Sequence, residues 1–145
     1  MRLYQSLVFL LTLGGSAFAQ DVKPVADRLA AQNALFDEQY ESDLRNFPTR
    51  ATAYGDYRYN DKLGDYSLAA IAQRNETDHA FLSRLNAIAI TGFSDQDQLS
   101  HDLLVRVLQQ RIADFDLREF EMPISQFNGI HTALADLPLS VPLDS

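Results

Sequence analysis

The chain has 145 residues, no cysteine and a formal net charge of −8. Such acidity repels phosphate backbones, which sets nucleic acid aside as a partner. The missing cysteine excludes disulfides, thiolate metal sites and cysteine nucleophiles.

The first 19 residues have the layout of a cleavable signal peptide. Arg2 supplies a positive start and Leu3 to Leu13 a short apolar core, interrupted by Tyr4, Gln5, Ser6 and Thr12. Ala17-Phe18-Ala19 then places small residues before a cut between Ala19 and Gln20. The apolar core falls short of the roughly 20 residues that span a bilayer. No cysteine follows the cut to carry a lipid. The expected destination is therefore periplasmic or secreted, with no membrane association after cleavage. Cleavage removes Arg2 and no acid, so the mature segment 20–145 is more acidic still. It is long enough for one domain and too short for two.

Three helical patterns follow. The first runs from about Pro24, suited to a first turn because it lacks an N–H, to Asn46. Val25, Leu29, Phe36, Tyr40 and Leu44 recur at helical spacing as its apolar stripe. Glu41 and Arg45 are spaced for an ion pair, and Pro48 biases Phe47 out of the helix. The second runs from Ser67, a plausible N-cap, to about Ile90. Its first half is polar and only its second half, with Phe81, Leu82, Leu85 and Ile88, is expected to pack deeply. The third opens on Ser94-Asp95-Gln96-Asp97, with the shape of a capping box, and carries Leu103, Leu104, Val107, Leu108, Ile112 and Phe115 to about Leu117. The few residues around Thr91-Gly92 should fold the second and third helices into an antiparallel pair.

Two stretches read as irregular. Residues 47–66 hold Tyr54, Tyr57, Tyr59 and Tyr66, expected to pack against other parts of the protein, with a short helical turn around 49–53. Residues 119–145 are broken by Pro123, Gly129, Pro138 and Pro142, yet they are rich in apolar side chains, unlike a disordered tail. Both stretches lead to the expectation of an incomplete domain whose partner is a missing C-terminal portion of the same protein.

Chemistry-bearing patterns are sparse. His79, His101 and His131 form no His-Glu-x-x-His pair. His79 and His101 fall about five residues, roughly 7.5 Å, out of register on neighbouring helices, too far for one ion. Asp97, four residues before His101, is placed for a local surface pair with it. The loop from Asp56 to Asp61 fails the calcium-loop pattern at its third, sixth and twelfth positions. There is no nucleophile elbow and no phosphate-binding glycine loop. Asp114, Asp116, Glu119 and Glu121 read as surface acids, and Asn75-Glu76-Thr77 is a glycosylation acceptor pattern inside a predicted helix. No catalytic or metal-binding residue can be named. Residues 123–131, with amides and an imidazole beside a glycine, give Gln126, Asn128 and His131 as candidate substrate-binding residues.

In order along the chain, residues 46–53 (Asn-Phe-Pro-Thr-Arg-Ala-Thr-Ala), Tyr54 through Leu63, Asp65 and Ser67, Asp97, Leu99, Asp102 and Leu103, then Pro123-Ile124-Ser125-Gln126, Gly129 and His131 resemble the N-terminal part of the bacterial family called domain of unknown function 885. The resemblance implies a large, mostly helical, zincin-type metallopeptidase, often exported, with its zinc motif well downstream. None of that motif is present, so no cofactor is expected in this chain and zinc only in the full-length family. Together these readings imply an all-α fold: three main helices with long irregular connections, an incomplete portion of a larger helical domain. The function they imply is a scaffold segment of an exported metallopeptidase-like protein acting on peptide, inactive alone. The alternative is a self-contained exported helical binding or interaction module.

Overall fold

The computed structural model describes residues 23–122, 124 and 129–140, and over these the chain is all-α. The signal peptide with its Ala19–Gln20 cut, and Gln126 and Asn128, lie outside the described residues. Five helices appear: α1 (Val25–Asn46), α2 (Pro48–Ala53), α3 (Leu68–Asn86), α4 (Asp95–Asp116) and α5 (Ile130–Ser140), with 3₁₀ turns at Tyr57–Tyr59 and Glu119–Glu121. Among the described residues no helix is long and apolar enough to cross a membrane.

Local signals set most boundaries. Pro24 is the N-cap of α1 rather than its first helical residue. At the other end Phe47, forced off helical geometry by Pro48, adopts φ −129° and ψ 70°, and Pro48 opens α2. The Ser67 hydroxyl accepts from the Ala70 N–H, and the Ser94 hydroxyl accepts from the Asp97 N–H while donating to the Asp97 carboxylate at 2.6 Å. The second helix ends at Asn86, not near Ile90, and residues 87–94 turn the chain through Gly92 at φ +84°. That backbone conformation favours glycine, and a β-carbon there would also crowd Val25 Cγ2 at 3.2 Å.

The core is a cluster of Leu35, Phe81, Leu85 and Leu108, flanked by Phe36, Leu82, Ile88, Leu104 and Val105. As the sequence predicts, α3 packs deeply only through its second half, where Phe81 and Leu85 are its buried residues. The predicted stripe of α1 holds at Phe36 and Leu44 and is corrected at Val25 and Tyr40. Val25 and Tyr40 are exposed, and the buried residues of α1 are Arg28, Gln32, Leu35 and Leu44. Two of those are polar because each meets hydrogen-bonding groups at the hairpin end of α3 and α4. Arg28, 8 % exposed, donates to the carbonyls of Lys23, Ala89 and Thr91 and lies 5.4 Å from the Phe93 ring centre. Gln32, fully buried, donates from Nε2 to the Asp97 carbonyl at 3.1 Å, and its Oε1 lies 2.9 Å from His101 Nδ1. Since Oε1 can only accept, Nδ1 carries the hydrogen. The predicted Asp97–His101 surface pair is thus overturned: His101 points inward to α1. These partners, with Asp43 on Arg111 further along, make α1 run parallel to α4 and antiparallel to α3.

Other sequence expectations also change. Glu41 pairs with Arg58 at 2.8 Å rather than with Arg45. Tyr54, Tyr57 and Tyr66 are exposed instead of packed. The stretch from residue 119 contains α5, which lies against α2. Gly129 starts that helix rather than breaking it, its carbonyl accepting from the Thr132 N–H and hydroxyl. Leu99, Leu103 and Val107 leave an exposed apolar line along α4.

Two measurements check this packing. Arg28→Ala strands the Ala89 and Thr91 carbonyls and should lower unfolding free energy by about 2–4 kcal/mol in urea titrations. Burial lowers the His101 pKa against the opposing pull of Asp102. The unfolded chain therefore binds this proton first, and stability should fall as pH drops through the ordinary histidine range. In His101→Gln the slope of unfolding free energy between about pH 7.5 and 5.5 should flatten.

Candidate functional site

Where α1 ends, the helices separate into a cleft of about 330 Å³. Local backbone shapes it. The Pro48 turn brings Phe47 and Arg50 to one side. On the other, Arg118 in the left-handed region (φ 58°) reverses the chain after α4 and lays Phe120 against Phe115, with ring centres 5.5 Å apart. The first half of α3 supplies Ile71, Arg74, Asn75 and Asp78, with Phe81 below them.

A charged cluster ties the three long helices together inside this cleft. Arg111 of α4 donates from Nη1 to Asp43 Oδ1 at 2.9 Å and from Nη2 to Asp43 Oδ2 at 2.7 Å, a two-pronged bond to α1. The same guanidinium reaches Asp78 of α3 at 3.6 Å. The bonds to Asp43 raise the Arg111 pKa. Asp78 moves the other way for a carboxylate that faces an arginine. Burial raises its pKa more than Arg111 lowers it, and nearby Asp43 adds to the rise.

At the mouth, two guanidiniums share one ring. Arg50 Cζ is 4.6 Å and Arg74 Cζ 5.6 Å from the Phe47 ring centre. Arg74 also donates to the Asp65 carbonyl at 2.7 Å. Neither has a carboxylate within ion-pair distance among the described residues. Beside them, Asn75 Oδ1 is buried without a hydrogen-bond donor. Asn75, the glycosylation acceptor of the sequence reading, thus turns its amide oxygen into the fold.

Chemically the cleft offers aromatic walls, a floor where one guanidinium faces two carboxylates, and a mouth with two arginines. No histidine lines it. Among the described residues no group of three or more His, Asp and Glu is placed to hold a metal ion. Of the predicted substrate-binding residues, His131 lies exposed in the first turn of α5 and does not line the cleft. Asp43, Asp78 and Arg111 escape a sequence reading because they are single charged residues on three helices, each indistinguishable from a solvent-facing one.

Residues 48–145 match the family described as bacterial protein of unknown function (DUF885). The chain belongs to this family. No curated protein and no solved structure matches it. The family match begins at Pro48, so it takes in the cleft residues of α2, α3 and α4 and leaves α1, with Asp43, outside.

The cluster predicts opposite outcomes for its two acids. Asp43→Asn leaves Arg111 only the 3.6 Å contact and should cost about 1–3 kcal/mol at neutral pH by chemical unfolding. Asp78 has a folded pKa above its unfolded value, so its contribution is full below the carboxylate range and is lost as pH rises through the raised pKa. Asp78→Asn should therefore be at least as stable as the parent at pH 7, with the advantage shrinking toward about pH 3.

Proposed function

We propose that this chain is the N-terminal helical scaffold segment of an exported, zinc-metallopeptidase-like protein. In this reading the cleft forms part of the wall along which a peptide lies, and residues outside the segment perform hydrolysis. The carrying observation is the division of labour in the cleft. Its half-buried charges are drawn together, Arg111 bonded to Asp43 and facing Asp78, while Phe47, Phe115 and Phe120 line the space that a ligand would enter. A hydrolytic site needs a nucleophile beside a base, or a metal. This arrangement suits binding instead.

Three further points support the reading. The chain belongs to a bacterial family whose resemblance, noted above, implies metallopeptidases. The signal-peptide pattern supports export to the periplasm or beyond. The exposed line of Leu99, Leu103 and Val107 is apolar surface that further chain of the same protein would cover.

The second reading, a self-contained exported helical binding module, draws on the polar staples at both ends of α1, which close the three long helices on one another. Monomeric unfolding with a single sharp midpoint would favour it.

Function is tested with the full chain and a quenched-fluorescence peptide library, with and without added zinc. Saturable binding without cleavage is expected. Cleavage by the chain alone would overturn the scaffold role, and absence of peptide binding would overturn the channel-wall role.

A further inference from the structure

The cleft's polar groups are arranged in a way that a generic apolar groove would not require. Arg50 and Arg74 bring two positive charges onto one phenyl ring, Phe47, at the cleft mouth. The other cleft arginine, Arg111, is already occupied by Asp43. Both charges lie within cation–π range of the same ring, so an anion at the mouth is attracted to each of them. Guanidinium groups match a carboxylate's two oxygens.

Next to this pair, Asn75 Oδ1 is buried with no donor. An unsatisfied buried acceptor costs free energy that an incoming N–H would recover. Beyond it stand Phe115 and Phe120, a wall suited to an apolar or aromatic side chain. One ligand end therefore has to supply three things: a single carboxylate, an adjacent N–H and an apolar side chain. The carboxylates of Asp43, Asp78, Asp114 and Glu119, which also line the cleft, disfavour a polyanion. The volume, near the small end of the roughly 300–1,000 Å³ typical of ligand pockets, suits one residue rather than a long segment.

We propose that the cleft binds the carboxyl-terminal residue of a peptide. Arg50 and Arg74 hold the terminal carboxylate, Asn75 turns its buried Oδ1 outward to accept from the ligand's amide N–H, and the phenyl wall takes the side chain. This deepens the peptide-binding reading and rests on it, naming which end of the peptide the segment recognises.

The test compares N-acetylphenylalanine with N-acetylphenylalaninamide, which differ only in the terminal charge, by NMR titration of the full chain. The acid should bind at least about tenfold more tightly than the amide. Arg50→Ala combined with Arg74→Ala should erase that preference, while Arg45→Ala, outside the cleft, leaves it intact. The double variant's unfolding midpoint checks that it folds. If it does not, the acid–amide comparison on the unaltered chain decides alone. Equal binding of acid and amide overturns the carboxylate assignment but leaves the peptide-wall reading standing. Inorganic phosphate binding as tightly as the acid overturns it in favour of a general anion site. Saturation by neither compound up to about 10 mM overturns it too, and library peptides still binding would then show that the channel-wall reading survives.

Discussion

Arg28 sets the position of everything else. A guanidinium carries five N–H donors and does not lose its charge, so burying it requires acceptors arranged around it. The carbonyls of Lys23, Ala89 and Thr91 and the face of Phe93 meet that demand. Those groups exist together only where the α3–α4 connection meets the start of α1. Once Arg28 is seated, the register of α1 is fixed: one turn on, Gln32 meets Asp97 and His101; two turns on, Leu35 enters the core; further still, Asp43 meets Arg111. A slip of one turn would unpair all of them at once. Polar groups of this kind add little net stability, but they penalise every alternative packing.

The cleft is the complement of that arrangement. The long helices are held at the hairpin end by Arg28 and Gln32 and in the middle by apolar contacts. Toward the other end the link is the cluster of Asp43, Asp78 and Arg111. Beyond that cluster Pro48 deflects the chain one way and the left-handed Arg118 deflects it the other. Among the described residues no helix fills the space there, and Phe47, Phe115 and Phe120 line it.

What could be read in the sequence was what local chemistry decides. The extents of α1 and α4, the caps at Ser67 and Ser94 and the break at Pro48 follow from residues a few positions apart. What could not be read depends on partners distant in the chain. The buried face of α1 is rotated from its apolar stripe because Arg28 and Gln32 find acceptors that no periodicity reveals. His101 has a carboxylate four residues away and still turns to Gln32. The end of α3 moves back to Asn86, and Arg28 takes the carbonyl of Ala89 just beyond it. Helix α5 is obscured by Gly129 and Pro138, residues that usually break helices but here sit at its start and near its end. Residues 123–131 read as a binding element because amides and an imidazole cluster there in sequence, and Gln126 and Asn128 lie outside the described residues. The described cleft is assembled from α1 to α4 and the turn after α4, and only folding brings Arg50, Arg74 and Asn75 together.

The difference between the partners of Arg28 and those of Arg58 also sorts the molecule by its response to ions. Arg28 is shielded and bonded to backbone carbonyls, so dissolved salt has little access to its interactions. Arg58, which links the 3₁₀ turn after α2 to Glu41, is exposed and held by carboxylates, as is Arg84 on Glu38. Such contacts weaken as ionic strength rises. A change in brine concentration therefore acts on the tyrosine-bearing loop between α2 and α3, whose tie to α1 loosens, while the helical frame keeps its register. Ionic strength thus tunes the loop and leaves the helical frame unaltered.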